Sequence, residues 1–157
     1  MVSEADRQFM AEALREALLA PPHGDVPVGA VVVLDGQVIG RGHNEKECRP
    51  DPTAHAEILA LRQAAGRLGT WRLSGATLYC TMEPCLMCAG AMLQARLGRL
   101  VYAVDDPKAG AAGSLLDVLR APFLNHRVEV VRGVLAAEVA AVLKEFFSGL
   151  RSATSEE

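Results

Sequence analysis

Four residues of this chain could do chemistry together. His55 and Glu57 lie in Pro52-Thr53-Ala54-His55-Ala56-Glu57, and Cys85 and Cys88 lie in Glu83-Pro84-Cys85-Leu86-Met87-Cys88. One imidazole and two thiolates are a complete set of protein ligands for a catalytic zinc, which keeps its fourth tetrahedral position open for water. Thiolate and imidazole are soft enough to select this metal. Glu57, two residues from His55, can serve that water without binding the metal. Zinc lowers the pKa of the water toward neutrality, and a nearby carboxylate can take the proton. The hydroxide would attack an electron-poor carbon of a substrate, and the same carboxyl could hand the proton on to the leaving group.

The elements around these residues suit that task. Pro84 is placed as the first residue of a helix, which puts Cys85 and Cys88 at i and i+3 on one face. A helix N-terminus offers free amides and partial positive charge, which favours thiolate. His55 and Glu57 open a second helix running to about Ala65, with Pro52 and Thr53 as start signals. Other uses of Cys-x-x-Cys stay open. A redox pair would need no His-x-Glu. A structural zinc would need a fourth ligand from Cys48, Cys80, His23, His43 or His126. Cys80 falls in an apolar run and reads as a small core residue; Cys48 falls in a polar loop and reads as a free surface thiol.

Hydrophobic periodicity gives an alternating α/β order. A first helix from about Asp6 to Leu19 carries an apolar stripe through Phe9, Met10, Ala13, Leu14, Ala17 and Leu18, and Ser3-Glu4-Ala5-Asp6 before it reads as a capping box rather than a leader. The loop Ala20–Pro27 breaks it. Val28–Leu34 is apolar throughout, as a central strand is. Asp35-Gly36 turns it back into Gln37–Arg41. A long loop, Gly42–Asp51, leads to the His55 helix. Strands are expected at Ala76–Thr81, Arg99–Val104 and Val128–Val131. Helices are expected from Cys85 to about Ala95, from Ser114 for a short length, and from Leu135 to Leu150. The segment Asp105–Gly113 is too rich in Gly and Ala for a regular element.

Composition agrees with one domain. The 157 residues are 50% hydrophobic, enough to bury a core. No apolar run is long enough to span a bilayer. The net charge is −3 and the pI about 5.8, so any nucleic acid must be held by a local patch. Four scattered cysteines do not read as a disulfide framework, and a reducing cytoplasm is expected. The domain is expected to cover residues 1–151, with 152–157 a disordered tail.

The order H-x-E followed by P-C-x-x-C is the signature of zinc-dependent nucleobase deaminases. Further stretches narrow the resemblance: Val26-Pro-Val-Gly-Ala30, Asp51-Pro-Thr-Ala-His-Ala-Glu-Ile58, Lys108-Ala-Gly-Ala-Ala-Gly-Ser114, Asn125-His-Arg-Val128 and Glu145-Phe-Phe147. With these the chain resembles the bacterial tRNA-specific adenosine deaminases, within the cytidine/deoxycytidylate deaminase superfamily, over nearly its whole length. The resemblance implies a three-layer α/β/α cytidine-deaminase-like fold with a central mixed five-stranded sheet. It implies one Zn2+ per chain on His55, Cys85 and Cys88, with Glu57 as proton shuttle, and a homodimer acting on the wobble adenosine of a tRNA anticodon stem-loop, that of an arginine tRNA. It suggests that Asn44 contacts the flipped base and that the Asp105–Ser114 loop, with Asp106 and Lys108, lines the RNA groove. By residue type alone, Asn44 could equally be a turn residue and the two charges ordinary solvated ones. One of Phe146 and Phe147 is expected in the core, the other free to stack on a base. The chain ends Arg151–Glu157 with almost no positive charge, unlike the basic tail that family members can carry. The alternative enzyme is a deaminase of a free base or nucleotide such as guanine or cytosine. A catalytically silent zinc module would have no need of Glu57.

Overall fold

The run Gly29–Leu34 is apolar on both sides of its pleat, and it lies inside the sheet as β1, covered on both faces. The computed structural model describes residues 2–155. In chain order its elements are α1 (Glu4–Ala17), a 3-10 turn (Pro21–His23), β1 (Gly29–Leu34), β2 (Gln37–His43), α2 (Ala56–Leu68), β3 (Thr77–Met82), α3 (Leu86–Gln94), β4 (Arg99–Val104), β5 (Glu129–Arg132) and α4 (Ala136–Ser155). The sheet order is β2-β1-β3-β4-β5. β1 runs antiparallel to β2 and β3, while β3, β4 and β5 run parallel. Asp35 and Gly36, both at positive φ, form the turn between β1 and β2, and a bulge at Val32/Val33 shifts their register.

Alternate strand residues feed two cores. Ala30, Val32, Leu78, Cys80, Leu100 and Tyr102 face α2 and α3. Val31, Val33, Tyr79, Val101 and Ala103 face α1 and α4. This is the expected three-layer α/β/α fold with a mixed five-stranded sheet. α1 is tied to the sheet by a buried polar staple: Asp6 completes the capping box with Ser3, accepts two hydrogen bonds from Arg99 (2.7 and 2.9 Å), and accepts one from Tyr79 Oη (2.7 Å).

Glycines set how low α2 lies. A Cβ on Gly40 would stand 2.3 Å from the Ala60 carbonyl oxygen, and one on Gly42 would stand 2.6 Å from that of Ala56. With no side chain at either position, α2 rests on β2 backbone to backbone.

Several expectations change. No helix forms at Ser114. Leu115 and Leu116 both donate to the Gly110 carbonyl, and Ala112 bridges to Asp117, so the segment is a compact turn. Pro84 is not the first helical residue: Cys85 is the N-cap of α3 and Pro84 precedes it. His55 and Glu57 do open α2, and Pro52 and Thr53 stand ahead of it in a turn where Asp51 Oδ1 accepts the Thr53 amide and hydroxyl. α4 continues to Ser155, through 152–155 of the stretch expected to be disordered; residues 156 and 157 lie outside the described residues. Neither Phe146 nor Phe147 is buried; the two rings pack edge-on at 5.3 Å.

Candidate metal centre and substrate loop

His55 is the N-cap of α2 and Cys85 the N-cap of α3. Each holds its helix through its own carbonyl, which accepts the amide of Leu59 or Ala89 respectively, and neither side chain caps the helix. Both side chains are thereby free to point at one another across the two helix N-termini. Cys88, one turn into α3 and fully buried, joins them. Cys85 Sγ and Cys88 Sγ lie 3.6 and 3.5 Å from His55 Nδ1, and the three ligand atoms lie within 4.8 Å of one another. Among the described residues no further His, Cys, Asp or Glu completes this group. A structural zinc site would close with a fourth protein ligand; three ligands at two helix N-termini fit a metal with one position to spare.

The electrostatics of the cluster follow from its geometry. The Cys85 thiol is drawn down to about 3, because Cys88 donates a hydrogen bond to it and His55 lies beside it. Cys88 is pushed far above the usual thiol range by the same hydrogen bond and by burial. These are one event, a thiol pair that holds a single proton. His55 is raised, first by its hydrogen bond with Cys85. Glu57, on the first turn of α2 and 4% exposed, is raised by burial. A carboxyl raised by burial beside a thiol lowered by its partners are groups shifted in opposite directions, a pattern that marks acid–base chemistry. The sheet closes the site from below. Cys80 on β3 is fully buried, with Sγ 3.0 Å from the Met82 carbonyl oxygen, and burial and the Glu57 charge raise its thiol. Cys48 is exposed and not a member of the group.

Asn44, just past β2, accepts the Ala56 amide on Oδ1 at 2.9 Å. It therefore satisfies one of the free amides that open α2, and its own NH2 remains for another partner. Asp106 Oδ1 accepts the amides of Lys108 and Ala109 at 3.1 and 3.2 Å, so its carboxylate caps its own loop. Lys108 is exposed. Sequence reading passed over Glu83. It is 3% exposed and accepts from Asp106, Ala112 and Ser114, which anchors the loop beside Cys85. Burial opposes its ionisation, yet those hydrogen bonds leave its carboxyl below the usual range. The available signal was a charge at the end of the apolar run Thr77–Met82, where an acidic residue requires partners.

Comparison with known proteins agrees with this geometry. The sequence profile of the MafB19-like deaminases matches residues 4–151. The tRNA-specific adenosine deaminase of Bacillus subtilis (strain 168) is 47% identical over 93% of this chain and 91% of its own length. That of Haemophilus influenzae is 47% identical over 95% of this chain and 87% of its own. A solved structure from work on A-to-I editing by tRNA:A34 deaminases at the wobble position of transfer RNA superposes with a TM-score of 0.83. It is 46% identical and covers 87% of this chain and 99% of its own. A guanine deaminase from Nitrosomonas europaea superposes at 0.75 with 26% identity, covering 93% of this chain and 85% of its own. The chain belongs to the MafB19-like deaminases and, within them, to the tRNA-specific adenosine deaminases.

Proposed function

We propose that this protein hydrolytically deaminates adenosine to inosine at the wobble position of a tRNA anticodon loop, that of an arginine tRNA, with one zinc per chain. The observation that carries the reading is the convergence of His55, Cys85 and Cys88 at two helix N-termini, with Glu57 buried next to them, in a chain 47% identical to a tRNA-specific adenosine deaminase. The donor set suits zinc in number and softness. When bound, zinc supplies the Lewis acidity that makes water acidic near neutral pH.

The chain's own residues do the rest. Glu57 takes the proton of the attacking water on its buried carboxylate and delivers it to the purine ring nitrogen. It then takes the second proton of that water, now a hydroxyl on the ring carbon, and passes it to the amino group, which departs as ammonia as the C–N bond breaks and the oxygen remains as the carbonyl. Burial raises its carboxyl above the ordinary range, which favours its acting as a proton carrier. Asn44 holds the α2 end with its carbonyl and offers its NH2 to the base. The 105–114 loop, with Asp106 and Lys108, forms the wall along which the RNA lies. The base must leave its stack to reach the metal, which is easiest in an unpaired loop.

The active form is a homodimer. An apolar groove of about 580 Å³ lies between α2 and α3, with Trp71 at its edge 57% exposed. Exposed apolar surface of this kind marks an interaction face, and these two helices carry the ligands. No helix among the described residues is long and apolar enough to cross a membrane. Four free thiols suit a reducing cytoplasm.

The test is a substrate panel: an anticodon stem-loop, its fully duplexed form, free adenosine, cytidine and guanine. Inosine from the stem-loop, with little product from the rest, is expected. Faster turnover of guanine or cytidine would replace the tRNA reading with the free-base one, the activity named for the Nitrosomonas europaea neighbour.

A further inference from the structure

Glu83 has no part in metal binding, proton transfer or base contact as assigned above, yet it is 3% exposed. It follows the last residue of β3 and stands two residues before the ligand Cys85. A buried carboxylate must be compensated by donors, and here all of them come from one loop. Oε1 accepts the Asp106 amide at 3.0 Å and the Ser114 hydroxyl. Oε2 accepts the amides of Ala112 and Ser114, each at 3.0 Å. Three converging amides make an anion-binding concavity, and the anion is supplied by the segment that leads into α3. Gly110 completes the fit: a Cβ there would stand 2.4 Å from Glu83 Cδ and 2.5 Å from the Asp106 carbonyl oxygen. The same segment is stitched to its surroundings twice more. Glu83 N–H donates to the Val104 carbonyl at 2.9 Å, and the Pro84 carbonyl accepts the Ala111 amide at 2.9 Å.

We propose that Glu83 is a positioning residue for deamination: it locks the 106–114 loop to the cap of the metal-bearing helix, so that the wall of the substrate groove and the metal move as one body. The inference rests on the reading of that loop as the RNA-facing wall. Glu83 acts through the loop and touches neither substrate nor metal. Its loss should therefore weaken productive binding more than the chemical step.

Glu83→Gln keeps the shape and sets an NH2 against donors that had faced oxygen. Gly110→Ala displaces the same carboxylate without changing any charge. Both should keep one zinc per chain by elemental analysis. In both, the amides of Ala112 and Ser114 should exchange with deuterium about tenfold faster or more than in the wild type. On an anticodon stem-loop KM should rise about tenfold or more while kcat stays within about threefold. A merely structural role would lower the melting temperature and leave KM unchanged at temperatures where the variant is folded. An unchanged KM despite loosened amides would overturn the proposal, as would loss of zinc or amides as protected as in the wild type. Should Glu83→Gln fail to fold, Gly110→Ala decides alone. Failure of the parent reading looks different: the wild type is inactive on every stem-loop, while amide protection that still depends on Glu83 confirms the anchoring.

Discussion

Burial and a shared proton set the residues of this site apart from their ordinary chemistry. Glu57 is raised because α2 and the sheet enclose it, and Cys85 is lowered because Cys88 and His55 stabilise its thiolate. Glu57→Gln removes the proton carrier and no ligand. Zinc content and melting temperature should hold, and turnover should fall by about 10²–10⁴, the usual worth of general acid–base catalysis. Turnover near the wild-type value at full zinc occupancy would remove Glu57 from that role. Asn44 has two roles that one substitution can separate. Asn44→Asp keeps an acceptor for the Ala56 amide and abolishes the NH2 offered to the base. It should leave stability unchanged and cut kcat/KM by about tenfold, the cost of one unmade hydrogen bond to a buried polar group. Equal activity in Asn44→Asp and wild type would reduce Asn44 to a helix cap. The ligand types were legible in the chain because zinc demands them in few combinations. Glu83 and the capping bond of Asn44 were not, since each depends on a partner more than ten residues away that only the fold brings near.

At the scale of elements, two N-caps and two glycines place the site. α2 can bring His55 to Cys85 because Gly40 and Gly42 let it lie against β2. α1 is held on the far face by Asp6, whose carboxyl Arg99 drives well below the usual carboxylate range. A group depressed in the folded state gives stability that is fully present above its unfolded pKa, about 3.9 for Asp. That stability is lost as pH falls toward the folded value. Asp6→Asn should therefore cost about 3 kcal/mol at pH 7, near the lower end for a broken buried pair. It should also flatten the fall of stability below about pH 4. Urea melts at pH 7 and pH 3 check both, and a variant whose stability loss is the same at the two values would refute the staple. Strands and long helices were readable from periodicity because one face of each is buried. The helix expected at Ser114 failed because Glu83 claims the Ala112 and Ser114 amides and Gly110 the next two, so no i to i−4 ladder can form. The caps of α2 and α3 lie three residues past Pro52 and one past Pro84, because His55 and Cys85 themselves take the cap positions.

Over the whole chain, a net charge of −3 gives no general attraction for RNA, so the proposed binding must rest on local cations. The apolar groove between α2 and α3, with Trp71 exposed in its lining, is the surface proposed above for pairing two chains. Trp71→Glu should turn the dimer into a monomer in sedimentation and weaken stem-loop binding; a wild type that already sediments as a monomer would refute the dimer. On the proposed function, His55, Cys85 and Cys88 hold one zinc and this metal enables deamination of tRNA adenosine. A titration of metal-free protein with zinc, with inosine release from an anticodon stem-loop measured at each step, tests this. Activity should rise linearly and saturate at about one equivalent per chain, as expected for a three-ligand site, and Cys85→Ala should bind no zinc and release no inosine. Full activity without zinc, or saturation unaffected by loss of Cys85, would rule out this metal as the source of activity.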